Sequence, residues 1–318
     1  MERMKLNLQK RYIEKILAAL KLILFEGLVI FLFSNCSAQK APVFSGENAY
    51  KYLQKQCDFG PRNPGSEGYR QCRDYLIQTM RLFADDVSTQ PFLLSFSNPT
   101  MSVSATNIIA RFQPNKSDRI FLCAHWDTRP WADQEPDPKQ HDTPIMGAND
   151  GASGVAVLLE IATLLHTQKP EIGVDIVLFD GEDEGSEGEE RSWAKGSAVF
   201  AQQLGSQFHP RFGILLDMIG DADLTIYKES FSNQYAPDAV NLVWNRAANL
   251  GVTEFIPQVG YGVFDDHIPL LEAGIPCIDL IDFNYPYWHT LKDTPDKCSP
   301  QSLEKVGRVL TSLIYEPD

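Results

Sequence analysis

Residues 149–184 read NDGASGVAVLLEIATLLHTQKPEIGVDIVLFDGEDE. Two hydrophobic periods meet in this stretch. Val155, Leu158, Leu159, Ala162 and Leu165 recur at helical spacing on one face, so Gly151–His166 is expected to be a helix. Val174–Phe179 is apolar throughout except for Asp175, the pattern of a short strand covered on both faces. Polar residues crowd the two ends: Asn149-Asp150 where the helix opens, and Asp180-Gly181-Glu182-Asp183-Glu184 where the strand stops.

The same alternation extends outward. Upstream, Ser66–Phe83 reads as a helix after the breaker cluster Gly60-Pro61-Arg62-Asn63-Pro64-Gly65, with Ser66 as its N-cap. Val87–Phe96, Ala105–Phe112 and Arg119–Ala124 read as strands. Downstream, Phe212–Leu216 and Cys277–Ile281 read as strands, and Pro237–Asn249, Asp266–Ala273 and Ser299–Ile314 as helices. Strands separated by helices predict an α/β fold, with one mostly parallel central sheet flanked by helices on both faces. No internal repeat or linker divides residues 39–318, which are read as a single catalytic domain.

The chain has 318 residues, 42 acidic against 28 basic, for a net charge of −14. At 43% hydrophobic and 22% charged it has the composition of a globular protein, not of a disordered chain, a fibre or a coiled coil. The acid excess argues against a nucleic-acid partner, which needs a basic face.

Residues 1–38 differ in kind. Arg3, Lys5, Lys10, Arg11, Lys15 and Lys21 precede an apolar run from Leu22 to Phe33, broken by Glu26 and Gly27. That run is shorter than the ~20 residues of a membrane span and fits the apolar part of a secretory signal. Three readings stay open: cleavage after Ala38, exposing Gln39; lipidation at Cys36, although Asn35 before it suits this poorly; or a retained anchor. Each predicts an exported protein, periplasmic or membrane-anchored facing the periplasm. Beyond Cys36, Cys123 and Cys277 sit in strand-like runs and read as buried thiols. Cys57 and Cys72 flank the Gly/Pro turn and are candidates to pair in an oxidising compartment.

The residues just past each apolar strand carry the chemistry. His125-Trp126-Asp127 stands after one, Glu182-Asp183 after another, Asp217 after a third, and Trp288-His289-Thr290 shortly after the last. Ligands of open α/β sheets collect at the carboxyl ends of the strands. A lone carboxylate there is usually a cap or turn former, and a lone histidine usually structural. Several successive strand ends with metal-type residues favour one zinc-binding rim of nitrogen and oxygen ligands. The long segment Thr128–Gly147, with Trp131, His141 and four prolines, has both ends pinned at that rim and is expected to wall the site. Its acids Asp133, Glu135 and Asp137 are weaker candidates for calcium, lacking EF-hand spacing.

Gly60-Pro61-Arg62, Gly65-Ser66-Glu67-Gly68, His125-x-Asp127, Asn149-Asp150-Gly151-Ala152-Ser153-Gly154, Asp217-Met218-Ile219-Gly220 and Asp266-His267 together resemble the zinc aminopeptidase-like exopeptidases. Phe179-Asp180-Gly181-Glu182, Asp265-Asp266-His267-Ile268-Pro269 and Trp288-His289-Thr290 resemble one branch of that clan, the glutaminyl cyclases, and the His125 loop with Trp131 resembles their bacterial form. The resemblance runs from about Gly46 to the C-terminus. It implies one zinc per chain, held by Asp150, Asp183 and His289. It also implies Glu182 as acid/base, Asp217 and Asp265 as an acidic network with it, and Trp288 and Trp193 as pocket walls. The implied substrate is a peptide or protein N-terminus bearing glutamine.

Two positions depart from the animal cyclases, which have Glu at Asp183 and His at Asp279. A cis peptide at Asp150–Gly151 is expected from the clan's peptidases. The rival reading is a two-zinc aminopeptidase, in which His125, Asp150 and Asp217 hold a second zinc and Glu182 activates water. In both, Asp127 orients His125. A binding module without activity is the third class, opposed by the intact base and ligand set.

Overall fold

The computed structural model describes residues 3–5, 12, 14–15, 40–95, 102–205 and 208–316. The chain divides into two compact units, Met1–Lys40 and Ala41–Asp318. Cys36, Ala38, Gln39 and the whole apolar run Leu22–Phe33 lie outside the described residues. Among those described, no helix is long and apolar enough to cross a membrane.

In the second unit the helices are α1 (Gly46–Cys57), α2 (Glu67–Phe83), α3 (Ala152–Thr167), α4 (Lys195–Gln202), α5 (Ser230–Tyr235), α6 (Pro237–Asn249), α7 (His267–Glu272) and α8 (Pro300–Tyr315). The strands are β1 (Asp86–Ser95), β2 (Ser102–Phe112), β3 (Arg119–His125), β4 (Gly173–Phe179), β5 (Gly213–Asp217), β6 (Ile226–Lys228), β7 (Phe255–Val259) and β8 (Cys277–Ile281). The main sheet has the order β1-β2-β4-β3-β5-β8. β4, β3, β5 and β8 run parallel; β2 lies antiparallel to β4, and β1 antiparallel to β2. The expectation of a mostly parallel sheet therefore holds: four of the six strands, the ones that carry the candidate site, are parallel, and β1 and β2 at the other edge are antiparallel. β6 and β7 form a separate two-stranded parallel sheet.

Successive strand residues face opposite layers, as the pleat requires. On one side Leu122, Ala124, Ile176, Leu178, Ile214 and Leu216 pack under α3 in the larger core, with side chains of α1, α2, α6 and α8. On the other, Phe121, Cys123, Val177, Phe179 and Leu215 form a smaller core with Phe200 of α4 and Leu270 of α7. The polar interruption at Asp175 has a partner: Arg119 on the adjacent strand donates to it from Nε (2.6 Å) and Nη2 (2.8 Å), both residues being buried. A bidentate guanidinium–carboxylate pair is the strong form of such a contact.

α3 is buried almost all round rather than on one stripe, because α1, α2 and α8 cover the side turned from the sheet. Its glycines permit that depth. A Cβ on Gly154 would stand 2.2 Å from the Leu216 carbonyl oxygen. Gly151, at φ +88°, turns the chain into the helix where an added Cβ would meet the Asp127 carbonyl at 2.8 Å. That turn is made through a trans bond; there is no cis peptide among the described residues, so the expectation of one at Asp150–Gly151 is corrected. Glycine's access to positive φ supplies the bend.

Cys57 and Cys72, read as candidates to pair, are not bonded to each other. Both are free thiols buried in the core between α1, α2 and α3, and burial pushes each up to about 12. Cys123 and Cys277 are buried free thiols, as read from their strands.

Candidate active site

β3 ends in His125, whose Nε2 lies 3.2 Å from Asp150 Oδ1 and 3.2 Å from Asp217 Oδ1. Asp217 ends β5, and Asp150 sits before α3. Asp127 lies 3.6 Å from His125 Nδ1 and accepts the backbone N–H groups of Glu182 (3.3 Å) and Asp183 (3.2 Å). The end of β3 thereby fixes the loop after β4. Asp293 does the same for Asp150: its carboxylate accepts Asn149 N–H (2.8 Å), Asp150 N–H (3.1 Å) and the Tyr285 hydroxyl (2.7 Å).

His289 Nε2 lies 3.3 Å from Asp183 Oδ1 and 3.7 Å from Asp150 Oδ2. Its Nδ1 faces Asp133 Oδ1 at 3.1 Å. His289 has φ +53° and Met218, just past Asp217, φ +47°, a region that costs a non-glycine residue ~1–3 kcal/mol and is met mostly at functional sites. The Trp288 ring lies 3.9 Å from the His289 ring at 25°, and Trp193 5.9 Å away at 17°.

The long loop reaches the site through residues that the sequence did not single out for it. Arg129, buried, donates to Asp133 Oδ2 (2.5 Å) and to the carbonyls of Asp183 (2.9 Å) and Gly185 (2.7 Å). Its guanidinium also lies over the rings of Trp131 (4.7 Å) and Trp193 (4.5 Å). Gln134 N–H donates to the His289 carbonyl, and Glu135 accepts Leu291 N–H. Asp137 caps a short turn at Lys139. The three acids weighed for calcium are thus committed to separate partners and do not converge.

Glu182, Asp183, Asp150, Asp217, Asp265 and His289 line one cavity of about 230 Å³, together with Trp288, Trp193, Phe264 and Phe283. Behind it Asp265, His267 and Asp279 form a buried group, with His267 Nε2 3.1 Å from Glu229. The crowding sets the acidities. Burial pushes Glu182 well above the usual carboxylate range, and the charges of Asp265 and Asp183 push the same way. Burial also raises Asp265 and Asp279 far above it. Asp150 is pushed up to about 7 by burial and Asp183. Burial works against ionised Asp183 too, but His289 outweighs it and holds the carboxyl low. Burial works against protonated His289, yet Asp133 and Asp183 carry it up to about 9.

Asp150, Asp183 and His289 each offer one ligand atom, mutually within 4.8 Å, and so do His125, Asp150 and Asp217. Asp150 Oδ2 and Asp183 Oδ2 are buried without a hydrogen-bond partner. Buried orphan oxygens beside an imidazole suit a cation with mixed N/O preference, as zinc has. The residues present therefore fit a zinc ion.

A family model described as Peptidase family M28 matches residues 107–314. The chain belongs to peptidase family M28. Among solved structures, it is similar to the Bacteroides thetaiotaomicron glutaminyl cyclase bound to N-acetylhistamine: 39% identity, a TM-score of 0.84, with 88% of this chain and 100% of that one covered. A structure from the same organism described as a leucine aminopeptidase precursor matches at 39% identity and a TM-score of 0.85, covering 88% and 100%. The bovine glutaminyl-peptide cyclotransferase is 26% identical over 289 residues, 80% of this chain and 78% of that one. The M28 assignment agrees with the zinc-exopeptidase-like fold expected from the sequence.

Proposed function

We propose that this M28 member is a zinc-dependent glutaminyl-peptide cyclotransferase, converting N-terminal glutamine of peptides and proteins to pyroglutamate with release of ammonia. The observation that carries the reading is Trp288 laid 3.9 Å from the ring of His289, walling a pocket into which Glu182 and Asp265 also face. Relatives named as glutaminyl cyclases, from bacteria and from cattle, support it.

Asp150, Asp183 and His289 would hold the metal, which when bound supplies a Lewis acid for the γ-amide oxygen. Trp288 and Trp193 keep the side chain folded back on its own amine, so the entropy of ring closure is met on binding. Glu182 takes a proton from the α-amine as the N–Cδ bond forms. It delivers that proton to the amide nitrogen as the Cδ–N bond breaks, and ammonia leaves. Burial, with the repulsion from Asp265 and Asp183, raises Glu182 and is what lets a carboxylate both accept and return a proton.

One observation favours a second reading. His125 and Asp217 stand with Asp150 at ligand spacing, the set a two-zinc aminopeptidase would use. Purified protein given glutaminyl-β-naphthylamide and a leucyl analogue, with products read by mass spectrometry and metal by elemental analysis, separates the two. Ammonia released with the reporter amide intact, at one zinc per chain, is the expected result. Release of the reporter from the leucyl analogue, at two zincs, would refute it.

Export to the periplasm, free or held at the membrane by the N-terminal segment, belongs to the same proposal. Cleavage after Ala38 would expose Gln39, making the mature protein a candidate for its own chemistry. An N-terminal mass matching lipid on Cys36, or an intact leader, would remove that last step.

A further inference from the structure

Glu190 and Phe264 are among the residues lining the catalytic cavity, and both also line a larger neighbouring hollow of about 680 Å³. α5 contributes Phe231 and Tyr235 to this groove, and α7 contributes Ile268 and Leu271. Phe231 is 36% and Tyr235 60% exposed. Tyr261 and Phe283, also exposed, make a ring contact with each other, and Phe283 lines the cavity itself. Large exposed apolar side chains are therefore gathered where the cavity opens, and contiguous apolar surface of this kind marks a binding face.

A cyclase binds the first residue of a chain whose remainder must leave the pocket. The cavity of about 230 Å³ has room for the folded glutamine, and the neighbouring groove, which shares Glu190 and Phe264 with it, is lined mostly by apolar residues, with Glu190, Arg191 and Glu272 as the charged ones. We propose that this groove receives the residues that follow the N-terminal glutamine and selects apolar side chains among them. The inference rests on the cyclase reading and names the substrate class within it: N-termini of the form Gln followed within a few positions by Leu, Ile or Phe. The groove touches no reacting group, and the proposal is that its contacts are equal in the ground and transition states. They act on KM and leave kcat unchanged.

The test uses the whole protein with zinc and a set of glutaminyl tetrapeptide amides, carrying Leu or Phe in place of Ser in turn at positions two, three and four. Ammonia release is followed for wild type, for the double variant Phe231→Ser/Tyr235→Ser, and for Leu271→Asp. The first variant alters only exposed side chains and keeps the proposal falsifiable if the second fails to fold. The expected result is a KM about tenfold lower for the apolar peptide at the preferred position. That ratio should fall toward one in the variants, with kcat preserved. Equal KM values across the set, with normal ammonia release, would overturn the groove and leave the cyclase intact. Ammonia from none of the peptides would overturn both. A concentration-dependent mass in sedimentation that the double variant abolishes, with no dependence on peptide sequence, would assign the groove to a second copy of the chain instead.

Discussion

Arg62 tests whether the site is held from beneath as the geometry indicates. It is fully buried and donates to three backbone carbonyls: Trp126 from Nε (3.1 Å), Met146 from Nη1 (2.8 Å) and Gly147 from Nη2 (2.7 Å). Those carbonyls belong to the segment after His125 and to the turn before Asn149-Asp150. One guanidinium therefore ties the two ends of the 128–147 loop together. Arg62→Met keeps the apolar stem and volume and removes every donor. Three buried acceptors left unpaired cost ~1–3 kcal/mol each, offset in part because a buried cation no longer has to be desolvated. The net expected loss is ~3–5 kcal/mol out of a total of ~5–15. In urea, with a slope near ~3 kcal/mol/M, that moves the midpoint down by about 1–1.7 M. Arg62→Lys, a point charge without the planar fork, should fall between the two. Because the turn at Gly147 leads straight into Asn149-Asp150, the Met variant should also bind zinc more weakly by chelator competition. A Met variant within about 1 kcal/mol of wild type, with unaltered zinc affinity, would show that solvent or neighbouring donors satisfy these carbonyls and that the strut is not structural.

Three further outcomes are expected at the site. Asp133→Asn removes the carboxylate facing His289 Nδ1 and should weaken zinc binding by about 10–100-fold, read by chelator competition, with the fold unchanged by circular dichroism. Asp265→Asn removes a carboxyl group whose ionisation competes with that of Glu182, so the acidic limb of the kcat/KM profile should move to lower pH; an unmoved limb would take Glu182 out of that role. In the metal-free protein His289 is protonated below about 9, so zinc must displace that proton at neutral pH. Calorimetry in buffers of different ionisation enthalpy should record proton release, and affinity should fall as pH is lowered through the range below 9.

The strands that carry the site were legible because each is a closed apolar run ending in polar residues, and β8 begins and ends where its pattern does. Ser66 was readable as a cap and accepts the Tyr69 N–H at 3.0 Å. Other elements left no local signal. α1 was missed because its stripe of Ala49, Leu53 and Cys57 is thin in a polar sequence, and α3 and α8 supply the burial that makes it a helix. α4 starts from Ala194 at φ +54° with no side-chain cap, so nothing in its sequence marks the start. β6 is three residues long, too short for a period. The site divides in the same way. Residues just past strands announced themselves, whereas Asp133, Arg129 and Asp293 sit in loops whose course is set by tertiary contacts. Pinned loop ends were the one sequence clue to the first two.

The distribution of charge explains why these residues suit proton transfer as well as metal binding. Asp150, Asp183, Asp217, Glu182, Asp265, Asp266 and Asp279 are all buried, as are His125 and His289. So many carboxyl groups cannot all ionise in a low-dielectric interior with so few cations. The order in which they do so is set by the neighbours each one has. Asp183, 3.3 Å from His289, stays low; Asp150, which shares that histidine with Asp183 and His125 with Asp217, reaches about 7. Asp265 and Asp279, buried and set among other acids, are driven well up. Glu182 is pushed up as well, by burial and then by Asp265 and Asp183 on either side of it. Neighbouring carboxyl groups whose acidities are pushed apart in this way are what divides ligand from acid/base. A cation at the Asp150–Asp183–His289 end would favour ionised ligands there, and the carboxyl groups behind it would share the protons. Glu182 is then the carboxyl poised to exchange one.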